Sequence, residues 1–323
     1  MGSKVTLGNV LLEHVSSFEV NESILEMSNT AKITIPRNYS ELNGKSILEQ
    51  FKAGDPVTID AGYDDELERE FTGYIREIES DYPLIIHCDD ETYPLRQTDY
   101  VMSWKSVTLK QVLSEIIPGT IQTEAPDVNL GKFQINHESA FQVLQRIKDK
   151  HGLYSRLQNG VLKLGLRDLV STTDVIQVHT YILNPERQVS NLVKENNLKY
   201  KRKEDYKLRV TVTSITPDGK RMSSTVGDTT NEASIINVTY PGSYTEAELR
   251  QFATSIYNKR TYDGYTGTIT GFGLPRTHAG DSLRIQDDQE PERAGKYLIE
   301  KVAINYDSSN GFSRQNTLSY KLK

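Results

Sequence analysis

Two groups of carboxylates are the residues best placed to do chemistry in this chain: Asp64, Asp65, Glu66 and Glu68, and further on Asp287, Asp288, Glu290 and Glu292. Paired carboxylates can act as acid and base on a glycosidic bond, and carboxylates in a loop can ligate calcium. Neither group has EF-hand spacing. Each falls between two strand-like runs, where charged residues solvate an exposed hairpin tip, and that is the preferred reading. The six histidines form no His-Glu-x-x-His pair, and neither a Gly-x-Ser-x-Gly elbow nor a Walker A loop is present. His87 precedes the single cysteine, Cys88, but neighbours on a strand point to opposite faces, which predicts a buried core thiol and not a Cys–His nucleophile. Gly271-Phe272-Gly273-Leu274-Pro275 lacks the Lys-Ser/Thr ending of a phosphate loop and reads as a turn. His137-Glu138 reads as part of a helix cap. The sequons Asn21-Glu22-Ser23, Asn38-Tyr39-Ser40 and Asn237-Val238-Thr239 carry no weight without a secretion signal. No catalytic, cofactor-binding or metal-ligating residue is assigned, and no cofactor is expected.

The elements that would position these groups are mostly strands. Ala31, Ile33 and Ile35 alternate with Lys32 and Thr34. Val57, Ile59, Ala61 and Tyr63 share one face, and Leu84-Ile85-Ile86-His87-Cys88 is a nearly continuous apolar strand. Helical spacing first appears behind Thr108-x-x-Gln111, at Leu109, Val112, Leu113, Ile116 and Ile117, and ends at Pro118-Gly119. It recurs behind Ser139-x-x-Gln142, at Phe141, Leu144 and Ile147, with Lys148, Lys150 and His151 in the last turn before Gly152. A hairpin follows around Asn159-Gly160, with Leu162, Leu164 and Leu166 alternating. From about residue 175 strands return. Leu208, Val210 and Val212 lead to a turn at Asp218-Gly219, and a third helix carries Leu249, Phe252, Ala253, Ile256 and Tyr257 behind a Thr245-x-x-Glu248 box.

One pattern links the two ends of the chain. Gly54-Asp55-Pro56-Val57-Thr58-Ile59 runs through the first acidic group into Gly73-Tyr74-Ile75-Arg76-Glu77-Ile78. Gly280-Asp281-Ser282-Leu283-Arg284-Ile285 runs through the second into Gly295-Lys296-Tyr297-Leu298-Ile299-Glu300. A shorter echo relates Phe71-Thr72-Gly73-Tyr74-Ile75 to Tyr265-Thr266-Gly267-Thr268-Ile269. The expected fold is mainly β with an α+β insertion. Residues 1–102 form a first β-domain, 103–172 a small helix-containing module, and 173–323 a second β-domain with one helix.

Composition narrows the function classes. Hydrophobic residues make up 36% of the 323 and charged residues 25%, as in a globular protein long enough for two or three domains. A net charge of −6 argues against a dedicated nucleic-acid binder. One cysteine permits no internal disulfide and no Cys-rich metal site. No apolar run approaches the roughly 18 residues of a membrane span, so no membrane insertion is expected.

Three segments in this order resemble the late-control protein D family of phage tail hubs, related to the hubs of contractile injection systems. The first is Gly54-Asp55-Pro56-Val57-Thr58-Ile59 through Phe71-Thr72-Gly73-Tyr74-Ile75. The second is Glu138-Ser139-Ala140-Phe141-Gln142-Val143-Leu144-Gln145-Arg146-Ile147 through His151-Gly152-Leu153-Tyr154. The third is Gly273-Leu274-Pro275-Arg276-Thr277-His278-Ala279-Gly280-Asp281-Ser282-Leu283-Arg284-Ile285 with the closing strands. The resemblance implies two tail-tube-like β-barrel domains flanking the helical module. It also implies a non-enzymatic homotrimer that matches a six-fold tail tube to a three-fold spike. Implied partners are further copies of the chain, tail tube subunits, a spike protein and a tape-measure protein. The implied location is a virion tail or baseplate, assembled in the bacterial host cytoplasm, or a bacterial injection apparatus. Because the chain ends at Lys323, just after the second barrel's last strands, the spike is expected to be a separate protein. Acidic groups facing the lumen would let DNA pass without specific binding. The alternative is a carbohydrate-acting enzyme or glycan-binding β-protein of a tail, suggested by the 18 tyrosines and the acidic groups.

Overall fold

The computed structural model describes the chain apart from residues 14, 37–40, 43–44, 47–49, 65, 80–82, 167–176, 184–192, 217–219 and 323. Only the backbone is described at 41–42, 45–46, 166, 193–195 and 241. Asp65, the Asn38-Tyr39-Ser40 sequon, the Asp218-Gly219 turn, the Leu166 side chain and the 172/173 boundary lie outside the described residues.

The fold is mainly β, with helices confined to insertions. The first strands are β1 (Gly2–Leu7), β2 (Val10–Leu12), β3 (Ser17–Ser23), β4 (Thr30–Ile35), the two-residue β5 (Glu41–Leu42) and β6 (Lys45–Ser46), β7 (Pro56–Tyr63), β8 (Glu66–Glu79) and β9 (Leu84–Asp89). Next come β10 (Asp99–Thr108), α1 (Leu109–Ile116), β11 (Gln122–Glu124), β12 (Asn129–Ser139), α2 (Ala140–His151), β13 (Leu153–Gln158) and β14 (Val161–Leu166). The remainder comprises β15 (Val178–Leu183), β16 (Val193–Lys201), β17 (Leu208–Ile215), β18 (Arg221–Gly227), β19 (Ser234–Pro241), α3 (Glu246–Arg260), β20 (Gly264–Phe272), β21 (Ser282–Asp287), β22 (Gly295–Asp307) and β23 (Gly311–Leu322). The 102/103 boundary falls inside β10.

Strands from both ends of the chain build one 13-stranded sheet. Its first set runs in the order β3-β4-β9-β8-β7-β1, and its second set runs β16-β20-β23-β22-β21-β15. Read in chain order, these are the same positions, so the topology repeats over six strands; β2, paired to β1 at the edge, is the thirteenth and has no counterpart among the described strands. The sets differ in one direction: β1 is antiparallel to β7, whereas β15 is parallel to β21.

The repeat extends to individual hydrogen bonds. Gly54 (φ +92°) and Gly280 (φ +101°) both turn the chain through left-handed space that a side chain would resist. Gly54 N–H donates to Ile75 O (2.8 Å) and Ile75 N–H to Asp55 O (2.9 Å); Gly280 N–H donates to Ile299 O (2.9 Å) and Ile299 N–H to Asp281 O (2.8 Å). The Asp55 carboxylate accepts from Lys52 N–H (2.9 Å) and the Asp281 carboxylate from His278 N–H (3.0 Å), closing the same three-residue turn. Both long strands then bulge at the same place, between Ile75 and Glu77 and between Ile299 and Lys301. The shorter echo does not belong to this repeat. Residues 265–269 lie in β20, whose counterpart is β4, while residues 71–75 lie in β8.

β22 joins the two sets. Its first part pairs with β21, and residues 301–307 pair with β3 in seven register positions, Lys301 opposite Ser23 to Asp307 opposite Ser17. Phe18, Ile33, Ile59 and Ile86 from one set share a core with Tyr181, Ile285 and Ile304 from the other. Each fully buried aliphatic side chain there contributes about 1.5–3 kcal/mol.

Two helix-containing modules have cores of their own. In the first, α1 and α2 cover the β11-β14-β13 sheet beside the β10–β12 ribbon, burying Leu113, Leu144, Ile147 and Leu162. The second is larger than the single helix expected. The alternating Leu208, Val210 and Val212 build a separate β18-β17-β19 sheet under α3, whose Leu249 and Ala253 are buried against it. The three α-helices among the described residues begin with the capping boxes read from the sequence, at Thr108/Gln111, Ser139/Gln142 and Thr245/Glu248. Among the described residues no helix is long and apolar enough to cross a membrane.

Candidate functional site

A buried polar seam lies where the two strand sets meet. Glu70 on β8 is 5% exposed and Arg314 on β23 is fully buried. Arg314 Nη2 donates to Glu70 Oε1 at 2.5 Å, its Nε to Gly273 O at 2.7 Å, and its Nη1 to Thr277 O at 3.3 Å. Arg276 approaches the same carboxylate from the half-exposed side, with Nε 3.2 Å from Glu70 Oε1 and Nη1 2.6 Å from Glu68 Oε2. Tyr63 completes the seam by donating to Phe312 O (3.3 Å) and accepting from Gly273 N–H (3.1 Å).

The seam explains the glycine-rich run. A Cβ on Gly273 would lie 2.0 Å from the Phe312 ring, so only glycine lets the backbone pass. The amide that a phosphate loop would aim at an anion is taken up by Tyr63, in agreement with the turn reading. Phe272 and Leu274, on either side, are 46% and 51% exposed.

The two acidic groups serve different ends. Glu66 and Glu68 lie on β8, and Glu68 faces Arg276 across the seam. Asp287 is not a solvating tip residue. It is 4% exposed, accepts Tyr265 O–H at 2.7 Å and receives the N–H groups of Gln289 and Glu290 at 3.1 Å each. Glu290 pairs with Arg293. Among the described residues no cluster of three or more His, Cys, Asp or Glu side chains could hold a metal ion.

Cys88 and His87 face opposite ways. Burial pushes the Cys88 thiol up to about 12, with Asp89 adding to the shift, so it stays protonated and inert. His87 Nε2 lies 2.6 Å from Glu79 on the outer face. His137-Glu138 does not form the α2 cap, which Ser139 and Gln142 supply. Glu138 instead grips Arg146 with both oxygens, at 2.9 and 2.7 Å, and Arg146 lies 4.6 Å over the Phe133 ring. The Asn159-Gly160 turn is present and docks on Glu91, whose oxygens accept both N–H groups at 2.9 and 3.0 Å. Asp89, fully buried, lies 2.9 Å from Arg76 and 2.7 Å from Arg96. Asp90 accepts from Ser28 Oγ (3.2 Å), Asn29 N–H (2.7 Å) and Thr92 Oγ1 (2.8 Å), joining the segment before β4 to the one after β9. Asp89-Asp90-Glu91 thus ties the first strand set to the helical module. Three consecutive acids were a visible signal, but nothing in the sequence named their partners.

A second junction carries two carboxylate–imidazole contacts. His278 Nδ1 lies 3.0 Å from Glu22 Oε1, and His179 Nε2 lies 3.0 Å from Asp281 Oδ2. The Glu22 hydrogen bond raises the His278 pKa above its ordinary value, against burial and the positive charges of Arg314 and Arg276. The contact therefore stabilises the fold fully below about pH 6.5, the unfolded value, and that stabilisation is lost as pH rises through the higher folded value. Denaturant titrations across this window should show a declining midpoint, and His278→Gln should flatten the decline. An unchanged slope in the variant would remove His278 as its cause.

A cavity of about 570 Å³ opens between the C-terminal end of α2, β19 and α3, lined by Ile236, Val238, Ile256, Tyr154, Tyr320 and several basic side chains.

No family model matches the chain, and no curated protein matches it in sequence. Solved structures do match. A tail protein from Neisseria meningitidis is similar over 100% of this chain and 96% of its own, at a TM-score of 0.63 and 15% identity. A 43 kDa prophage tail protein from Shewanella oneidensis is similar over 98% and 97%, at 0.62 and 15%. An Escherichia coli protein described as a component of the type VI secretion system, with structural similarity to tail proteins of bacteriophage T4, is similar over 99% of this chain and 77% of its own, at 0.57 and 12%. The chain has the fold of these phage tail and secretion-system proteins along its whole length.

Proposed function

We propose that the chain is the hub of a phage tail or tail-like injection apparatus, a homotrimer that joins a six-fold tail tube to a three-fold spike and catalyses nothing. One observation carries this reading: the same strand order, turn and bulge occur twice in a single chain. Three copies then present six equivalent β-units, which is what a six-to-three adapter requires, and a closed ring satisfies exposed sheet edges. In this reading each strand set closes as a tube-like barrel, the helical module lies between them, and tube subunits, a spike and a tape-measure protein are the neighbours. The matched structures are tail and secretion-system proteins, which supports a place in a virion tail or injection machine. The glycan-acting alternative would need converging carboxylates, and Glu68, Asp287 and Glu290 are spent in separate contacts.

Mass in solution together with negative-stain images tests the proposal. The expected result is a ring-shaped trimer with six lobes. A stable monomer that cleaves peptidoglycan would overturn it.

A further inference from the structure

The joint inside one chain has an unfilled counterpart at each end of the sheet. Inside, the outer edge of β3 pairs with the half of β22 that follows its bulge. The repeat assigns β8 as the counterpart of β22 and β16 as the counterpart of β3. Past its own bulge β8 continues through Glu77, Ile78 and Glu79, paired with β9 on one side and, among the described ladders, with nothing on the other. Among the described ladders β16 is likewise paired with β20 alone. A donor edge and an acceptor edge therefore remain, of the same kind as the two already joined.

Register follows from the ladders. Glu77 and Lys301 occupy one position, since each is the first residue paired beyond the bulge, opposite His87 and Thr317. Opposite those same residues on the next strand stand Lys32 and Thr268, and opposite these in turn Glu19 and Asn197. Two and four residues further, Asn21 corresponds to Lys199 and Ser23 to Lys201. Inside the chain Asn21 faces Ala303 and Ser23 faces Lys301. Transferred to the free edges, Lys199 faces Glu79 and Lys201 faces Glu77.

Resting on the trimeric hub reading, we infer that β16 of one copy adds antiparallel to residues 77–79 of the next copy's β8, in this register. The chemistry agrees with the geometry. Lys199, Lys201, Glu77 and Glu79 are all exposed, and opposite charges meet at both positions. Tyr200 and Ile78, which would face each other between them, are both half-buried against the main core, so the apolar sides also coincide. The occupant of each edge is a second copy of this chain. The contact is head-to-tail, so it propagates until a ring closes.

Cysteine pairs test the register, because the single native thiol is buried. In Lys199→Cys/Glu79→Cys, mild oxidation should convert the protein to covalent trimers. In Lys201→Cys/Glu79→Cys the Cα atoms lie about 7–8 Å apart on the diagonal, beyond disulfide reach, and little should cross-link. Reversing both lysines to glutamate should raise the dissociation constant about tenfold or more, and adding Glu77→Lys with Glu79→Lys should recover most of the loss. A trimer that neither cross-links at the matched pair nor responds to the reversals would overturn this joint and leave the hub reading standing. A monomer at every concentration would overturn both.

Discussion

Glu70→Ala should cost about 3–5 kcal/mol, because it leaves a guanidinium in the core without its counter-charge. Arg314 is fully buried, and after the substitution only the carbonyls of Gly273 and Thr277 would face it. Removing Arg276 is different. Its side chain is 29% exposed, and Glu70 keeps the 2.5 Å contact to Arg314, so Arg276→Ala should cost about 1 kcal/mol or less. The double variant Glu70→Leu/Arg314→Met removes both charges and should recover much of the Glu70→Ala loss. Denaturant midpoints at unchanged slope give these differences directly. If Glu70→Ala were no worse than Arg276→Ala, the seam would not be a dry ion pair.

The second large effect concerns the faces of the repeated hairpin. Val57 and Ile285 are both fully buried in the shared core. Val57→Asp or Ile285→Asp gives up about 2 kcal/mol of apolar transfer and places an unpaired carboxylate among aliphatic side chains, for a total loss of several kcal/mol. Gln286, one residue on from Ile285, is exposed, and Gln286→Asp should change stability by no more than about 0.5 kcal/mol. Equal melting behaviour of Ile285→Asp and Gln286→Asp would refute the face assignment.

What could be read from residues was local. The three capping boxes, the Asn159-Gly160 turn and the Gly-Asp hairpins each depend on a few neighbouring residues whose side chains satisfy their own backbone, so type and spacing suffice. The alternation of Ala31, Ile33 and Ile35 marked a buried face for the same reason. Long-range pairing left no such trace. Glu70 and Arg314 are separated by 244 residues and meet only because β22 bridges two strand sets. The sheet under α3 was also hidden. Leu208, Val210 and Val212 show that a face is buried but not which layer buries it. The echo at residues 265–269 misled for a related reason: β-strand composition repeats easily, whereas position in a sheet is set by partners.

The two strand sets also differ in what they carry at one equivalent turn. Residues 24–29 connect β3 to β4 directly, but between the corresponding β16 and β20 the chain inserts the α3 module with its own sheet. A gene duplication followed by growth at this turn would leave this asymmetry. In a ring of three copies, plain and ornamented lobes would alternate around the circle. The ring would then offer a sixfold face to one neighbour and a threefold pattern of projections to another, with the change of symmetry encoded by which of two sister turns was allowed to grow.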